Sequence, residues 1–323
     1  MADLSGALLE LIRLTSTDLP PDVEEALRQA RSREQPGSAA IGALDSILEN
    51  VDLARQKSSP ICQDTGTPLF YARHPAGWST RALRDQIRGA VAEATKKTYL
   101  RPNAVDSLNG RNSGNNLGDD AFPTIHFEEI DGEELTVELI LKGGGCENVG
   151  AQYSLPDSRL NAGRDLEGVR RAALDAVHQA QGQGCAPGIL GIAVGGDRGS
   201  SFAASKEVLL RPLSDTNPER SLAALEARLL EEANQLGIGP MGFGGNTTLL
   251  GVRATSLHRL PASFFVSVSY MCWAYRRRRM VVRGDDVRYE PPPSSPGPAL
   301  GALHRFGAPK GVEGAAASRA GSV

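Results

Sequence analysis

The chain is poor in cysteine and aromatic residues, and it has no long apolar run. Its 323 residues include only 4 cysteines, and 5% are aromatic. So few, widely scattered cysteines exclude the disulfide framework of a small secreted protein. The low aromatic content argues against a surface that stacks nucleic-acid bases. No run reaches the length of a membrane span and the N-terminus lacks a signal-peptide pattern, so we expect a cytoplasmic protein without a membrane partner.

The charge balance argues against nucleic acid and anionic membranes as partners. The chain carries 35 basic and 38 acidic residues, a net charge of −3 at pH 7. This gives no reason to expect nucleic acid or an anionic membrane surface as a partner. With 40% hydrophobic and 23% charged residues the composition is that of a globular protein of one or two domains. We expect one folded domain over residues 1–290 and a disordered Pro-, Gly- and Ala-rich tail over residues 291–323.

The hydrophobic pattern changes repeatedly between helical and strand periodicity. Residues 1–57 are predicted to be helical, and further helices are predicted at 79–98, 164–181 and 217–235. Strands are predicted at 69–71, 189–194 and 264–270, and the alternation over 123–141 predicts a β-hairpin that turns at Asp131-Gly132. We therefore expect an α/β (α+β) fold, with a mixed sheet, outer helices, and strands that deliver three cysteine loops to one cavity.

Three of the four cysteines lie in loops or at strand ends. Cys62 directly precedes an amide, a carboxylate and a hydroxyl, Cys185 precedes the apolar run 189–194, and Cys272 follows the alternating run 264–270. Polar neighbours are typical of a soft ligand or a nucleophile, although a buried structural thiol fits the Cys62 stretch equally well. No CxxC zinc knuckle is present. Three thiolates from separate loops can hold an iron–sulfur cluster in which one iron has no protein ligand.

Other polar segments are weaker candidates for function. Arg101 precedes a proline at a predicted helix exit, where its guanidinium can face a pocket or lie on the surface. Residues 143–145 are three glycines, which can expose backbone amides to an anion or form a flexible turn. The four arginines at 276–279 allow a nucleic-acid patch, but the overall charge favours a strip that faces an anion or another subunit.

Together these segments resemble one known family. The chain resembles the iron–sulfur hydro-lyases of the class I fumarate hydratase and L-tartrate dehydratase type, specifically their alpha subunit or N-terminal region. The motifs occur in family order and cover nearly the whole chain before the tail. They are Ile61-Cys62-Gln63-Asp64-Thr65-Gly66, Lys142-Gly143-Gly144-Gly145-Cys146, Cys185-Ala186-Pro187 followed by Gly195-Gly196, Gly237-Ile238-Gly239-Pro240 with Gly245-Asn246, and Cys272-Trp273-Ala274 followed by the arginines.

The resemblance implies a cofactor. It implies a [4Fe-4S] cluster bound by Cys62, Cys185 and Cys272, with the cysteine loops converging on a cluster cavity. Many fumarases carry serine at the position of Cys146, whereas tartrate dehydratase alpha chains carry cysteine there. We therefore expect Cys146 to lie beside the cluster and not to be a ligand.

The resemblance also implies catalytic residues and an activity. Gln63 and Asp64 match family residues that bind substrate and transfer protons, Arg101 matches an arginine that binds a substrate carboxylate, and Gly144 lies in a loop that approaches the substrate. The implied activity is the reversible hydration of a C4 dicarboxylate, fumarate to malate. L(+)-tartrate dehydration is the alternative.

The sequence departs from the family pattern at one register. The family often has a histidine shortly before the strand that leads to the third cysteine. Here that register holds Leu260, before Pro261, and the nearest histidine is His258. Either His258 takes the role through a shifted turn or the role is absent, and this leaves the substrate open.

The resemblance predicts partners as well. The family takes a catalytic threonine and further arginine and lysine residues from a second domain, for which the low-complexity tail leaves no room. We therefore expect a separate beta subunit, together with an alpha–alpha contact. Two hypotheses of other classes stay open: a zinc or thiol-redox protein that uses the same cysteines, and a non-catalytic assembly or iron-sensing subunit.

Overall fold

A computed structural model of the chain describes residues 3–119 and 121–290. The tail predicted at residues 291–323 lies outside the described residues. The α-helices are α1 (Ser5–Thr17), α2 (Pro21–Arg33), α3 (Ala39–Lys57), α4 (Thr80–Lys96), α5 (Gly144–Asn148), α6 (Leu166–Ala180), α7 (Arg198–Glu207) and α8 (Arg220–Asn234). The strands are β1 (Thr67–Pro75), β2 (Thr124–Ile130), β3 (Leu135–Lys142), β4 (Ala151–Ser154), β5 (Gly188–Val194), β6 (Leu249–Ser256), β7 (Phe265–Met271), β8 (Arg277–Arg283) and β9 (Asp286–Glu290).

The strands form two mixed sheets instead of the single mixed sheet that was expected. The first sheet has the order β2-β1-β3-β8-β9 and the second has the order β4-β7-β5-β6. The pairs β1–β2 and β5–β6 are parallel, and the other pairs are antiparallel. The mixed α/β class is therefore confirmed. The predicted helices at 79–98, 164–181 and 217–235 correspond to α4, α6 and α8.

The predicted hairpin over 123–141 is wrong, although both of its strands exist. Strand β1 lies between β2 and β3, parallel to β2 and antiparallel to β3. Every residue of β3 is buried, whereas every residue of β2 is partly or fully exposed. A strand that is buried on both faces belongs in the sheet interior and needs a neighbour on each side. Here those neighbours are β1 and β8.

Amphipathic helices cover the first sheet. Helix α4 begins where the Ser79 hydroxyl accepts a hydrogen bond from the Ala82 N–H at 3.2 Å, which satisfies one free amide of the first turn. Leu83, Ile87 and Val91 lie on one face of α4 and are buried with α1 residues in a core against this sheet. Burial of each such side chain stabilises the fold by about 1.5–3 kcal/mol.

The two sheets are joined where the chain crosses between them. One crossing runs from β3 to β4 and carries Cys146, and the other runs from β7 to β8 and carries Cys272. Cys62 lies shortly before β1 of the first sheet, and Cys185 lies shortly before β5 of the second. None of the described helices has the length and apolar character needed to cross a membrane.

Candidate active site

The Cys62 loop is fixed by contacts with the segment that follows α4. Thr65 is fully buried, and its hydroxyl accepts hydrogen bonds from the Arg101 N–H at 3.0 Å and from the Asn103 side-chain amide at 3.1 Å. The Arg101 guanidinium donates to the Gln63 carbonyl at 3.3 Å. Gln63 and Arg101 are both exposed. The structure thus brings Gln63, Asp64 and Arg101 together, and their catalytic roles stay predictions.

Asp64 connects this loop to the glycine run. Its Oδ2 accepts a hydrogen bond from the Gly144 N–H at 2.7 Å, and its Oδ1 accepts one from the Gly66 N–H at 3.1 Å. Both carboxylate oxygens are therefore oriented by backbone amides. Because the Gly144 amide donates to Asp64, Gly144 positions the carboxylate, and its role in substrate binding stays a prediction.

Two glycines permit this close approach. A Cβ at Gly143 would lie 2.9 Å from Asp64 Oδ2 and 3.3 Å from Cys146 Sγ. Gly66 has φ +81°, and a Cβ there would lie 2.9 Å from the backbone of Leu141 and Lys142. A side chain at either position would separate the two loops that Asp64 joins.

The Cys185 and Cys272 segments are in direct contact. The Trp273 N–H donates to the Cys185 carbonyl at 3.3 Å. Cys185 itself has φ +54°, a left-handed conformation that is uncommon for any residue except glycine and is frequent at functional sites. The Met241 N–H donates to the Ala186 carbonyl at 2.8 Å. The glycine-rich loop before β6 therefore supports the Cys185 turn.

The thiols influence one another electrostatically. A hydrogen bond shared with Cys272 lowers the pKa of Cys146 to about 6, against burial, and the positive charges of Lys142 and Arg276 lower it further. The same hydrogen bond and burial raise the pKa of Cys272. Burial raises the pKa of Cys185, and negative charge on Cys146, Cys62 and Asp64 raises it further.

A buried cation lies next to the glycine run. Lys142 is 2% exposed, and its Nζ is paired with Glu147 Oε2 at 2.7 Å. Lys206 from α7 pairs with the other oxygen of Glu147. The sequence analysis assigned no role to Lys142, although the residue directly precedes the glycines. Its charge favours the thiolate form of Cys146.

The residues around the thiols suit an anionic sulfur group. Burial raises the pKa of Tyr270, and negative charge on Cys272, Cys146 and Cys185 raises it further. The Tyr270 hydroxyl and the Nε and Nη1 atoms of Arg276 are buried and have no hydrogen-bond partner among the described residues. Unsatisfied buried donors are rare, and acceptors on a bound group would satisfy these. Within residues 3–119 and 121–290, no three His, Cys, Asp or Glu side chains are grouped for a single metal ion. Convergence of the three cysteine loops on a cluster stays a prediction.

The segment around Leu260 lies at the end of β7 that is far from the thiol of Cys272. Residues 257–264 join β6 to the start of β7, whereas Cys272 follows the end of β7. The seven residues of β7 span about 20 Å. Leu260 is 74% exposed, and His258 lines a cavity of about 560 Å³ with Tyr71, His126 and Asp197. The shifted-turn hypothesis, in which His258 joins the thiol site of its own chain, is therefore not supported by the geometry.

The arginine run at 276–279 is directed inward. Arg276 and Arg277 are each 1% exposed. Arg277 pairs with Asp22, and Arg278 pairs with Asp18 at 3.1 Å. The expectation of a nucleic-acid patch or a subunit-facing strip is therefore wrong for the first two arginines, because the fold encloses both of them. The alternative, a strip that faces an anion, stays a prediction.

Comparisons with known proteins identify related sequences. A sequence model of the family described as fumarate hydratase (Fumerase) matches residues 5–281. A protein of Geobacillus stearothermophilus named as a class I fumarate hydratase is 50% identical over 280 residues, which cover 86% of this chain and 54% of that relative. The chain thus spans about half the length of this relative.

Two further relatives are matched over nearly their whole length. A Methanocaldococcus jannaschii protein named as L(+)-tartrate dehydratase subunit alpha is 33% identical over 278 residues, covering 85% of this chain and 95% of the relative. The L(+)-tartrate dehydratase subunit alpha of Escherichia coli O157:H7 is 31% identical over 284 residues, covering 87% of this chain and 91% of that subunit.

Proposed function

The chain belongs to the fumarate hydratase (Fumerase) family, and from this premise we propose that it is the alpha-type part of an iron–sulfur hydro-lyase. The proposed reaction is the reversible hydration of fumarate to malate. The relative with 50% identity is named for fumarate hydration, whereas the tartrate dehydratase alpha subunits are 33% and 31% identical. L(+)-tartrate dehydration is the second candidate, favoured by the nearly full-length match to those subunits.

The hydrogen bond between the Asp64 carboxylate and the Gly144 N–H carries this proposal. It orients a half-buried carboxylate at the meeting point of two loops. A carboxylate held in this way can accept or return a proton beside a substrate carbon, which is the proton transfer that hydration requires. The exposed guanidinium of Arg101 donates to the Gln63 carbonyl, and it is suited to bind a substrate carboxylate through bidentate hydrogen bonds.

We assign the cofactor to the thiols of Cys62, Cys185 and Cys272. Unsatisfied donors on Tyr270 and Arg276 support an anionic sulfur-containing group beside them. When bound, a [4Fe-4S] cluster with one iron free of protein ligands would supply a Lewis acid for the substrate hydroxyl and carboxylate.

We also propose a beta subunit and an alpha–alpha contact. The matched alpha subunits are named as parts of larger enzymes, and the matched half of the Geobacillus relative leaves room in that protein for a second part. In the proposed enzyme the partner contributes the remaining catalytic groups. The four cysteines are free thiols, which suits the reducing environment of the cytoplasm.

The test is anaerobic co-expression with the beta subunit, followed by assays with fumarate, malate and tartrate. We expect a brown protein that hydrates fumarate, loses activity in air, and regains it with iron and reductant. Asp64→Ala and Arg101→Ala should keep the colour and lose turnover, whereas Arg81→Ala, at an exposed position in α4, should keep both. Preferred turnover of tartrate would select the second candidate. A colourless, zinc-loaded protein, or a brown complex inactive on every dicarboxylate, would refute the proposal.

A further inference from the structure

Arg276 is an enclosed cation without an acidic partner among the described residues. It is 1% exposed, and it takes part in no ion pair with another described residue. Its neighbours in the sequence differ: Arg277 pairs with Asp22 and Arg278 pairs with Asp18. A buried charge without a counter-charge is unfavourable. The position of Arg276 therefore needs an explanation beyond packing.

The contacts of Arg276 place it between three of the cysteine loops. Its Nη2 donates to the Asp64 carbonyl at 2.9 Å, which reaches the loop of Cys62. Its own carbonyl accepts from the Leu141 N–H at 3.0 Å, at the end of the strand that leads to Cys146. Arg276 also follows Cys272 by four residues. The guanidinium is therefore anchored on one side only.

The remaining donors of Arg276 are unused. Nε and Nη1 are both buried and have no acceptor among the described residues. The positive charge of Arg276 acts to lower the pKa of the Cys146 and Cys272 thiols. The Tyr270 hydroxyl is a further buried group without a hydrogen-bond partner among the described residues. Two N–H groups and one positive charge are therefore available where the loops of Cys62, Cys146 and Cys272 meet. An anionic acceptor would satisfy the donors and balance the charge.

We propose that Arg276 is a positioning residue that donates hydrogen bonds from Nε and Nη1 to sulfur atoms of the iron–sulfur cluster and balances its negative charge. This inference rests on the proposed function, because it requires the cluster. Hydrogen bonds and positive charge near cluster sulfur stabilise the more negative, reduced form. Arg276 should therefore raise the reduction potential of the cluster and slow its loss of iron.

The test uses the full chain in complex with its beta subunit, reconstituted anaerobically with iron and sulfide. Arg276→Met removes the charge and all donors, whereas Arg276→Lys keeps the charge but loses the planar fork. The matched control is Arg278→Met, which removes an equal charge two residues away. Asp18, the partner of Arg278, also pairs with Arg55 and so keeps a counter-charge in this variant. The readouts are the reduction potential followed by electron paramagnetic resonance, and the rate of iron release to a chelator.

We expect the reduction potential to fall in the order wild type, Arg276→Lys, Arg276→Met, and iron release from Arg276→Met to be about 10-fold faster or more. Arg278→Met should match the wild type in both readouts. Equal potentials and iron-release rates in Arg276→Met and Arg278→Met would overturn the inference. If Arg276→Met does not fold, a folded Arg276→Lys with wild-type potential and iron retention would overturn it. A wild-type complex that binds no iron and sulfide would instead refute the proposed cofactor, and this inference with it.

Discussion

The Asp64 carboxylate and the Gly144 backbone N–H are hydrogen-bonded at 2.7 Å, although they are 80 residues apart in the sequence. This contact joins the loop of Cys62 to the loop of Cys146. Its length lies in the range of charge-assisted hydrogen bonds. The geometry of the candidate site therefore depends on how closely these two backbone segments can approach.

Gly143→Ala should disturb this approach without unfolding the protein. The new Cβ would lie 2.9 Å from Asp64 Oδ2, so the carboxylate must move, and a displacement near 1 Å can lower turnover about 100-fold. Turnover of the complex with the beta subunit is the measurement, and circular dichroism checks the fold. Gly145→Ala is the matched control, because its Cβ would meet its nearest atom at 3.7 Å. Equal activity of both variants would contradict the assigned role of Asp64.

Serine substitutions should separate cluster ligands from their neighbour. Serine at Cys62, Cys185 or Cys272 should abolish the visible absorbance of the anaerobically reconstituted protein, because each change removes one of three soft anchors. Serine at Cys146 should largely preserve it. If the Cys146 variant is colourless while the Cys272 variant stays brown, the ligand set is wrong. This comparison is the most sensitive one, because each of these two thiols shifts the pKa of the other.

Gly66→Ala should destabilise the chain more than Gly37→Ala does. The two glycines have nearly the same φ, +81° and +79°, so the left-handed penalty of about 1 kcal/mol is common to both. Only at Gly66 does the new Cβ meet backbone atoms at 2.9 Å, whereas Gly37 has open space. We expect a further loss of about 1–3 kcal/mol in the free energy of unfolding for Gly66→Ala. Urea denaturation of both variants measures the difference, and equal midpoints would refute it.

His126 should make the folded chain sensitive to mild acid. Its ring stacks on Tyr71 at 4.8 Å, and burial, followed by the charge of Lys206, lowers its pKa from 6.5. The unfolded chain therefore binds this proton more readily than the folded chain does. Stability from the neutral ring is fully present above pH 6.5 and is lost as the pH falls through that value towards the lower folded pKa. His126→Gln should flatten this part of the curve of unfolding free energy against pH, and a variant curve parallel to the wild type would contradict the assignment.

Local features of the fold could be predicted from the sequence, whereas partners distant in the sequence could not. Helix α4 follows from the spacing of Leu83, Ile87 and Val91, and the buried strand β5 follows from its continuous apolar run. Alternation over 123–141 identified two strands, but it carries no information on which strands pair. Strand β1, whose predicted extent was only 69–71, lies between them.

The same limit applies to the site. The polar loop of Cys62 made Gln63 and Asp64 candidates, because neighbours in the sequence must lie together. The burial of Arg277 could not be predicted, because its partner Asp22 is 255 residues away. Cys146 and Cys272 lie near each other because the segment from β3 to β4 lies next to the segment from β7 to β8. No local sequence pattern encodes that proximity. A basic run that is followed directly by apolar residues, two of them β-branched, as at Arg279-Met280-Val281-Val282, was the available sign of an inward-directed strand.

Each of the two chain crossings between the sheets carries a thiol, Cys146 on one and Cys272 on the other, and each of these thiols shifts the pKa of the other. Cys62 lies shortly before β1 of the first sheet, and Cys185 lies shortly before β5 of the second. A group bonded to Cys62, Cys185 and Cys272 would therefore tie the two layers into one cooperative unfolding unit. Without it, the amide protons of β1 and β5 should exchange with solvent at a lower free energy of opening, although Tyr71, Ile140 and Ile189 still share one core that joins the two sheets.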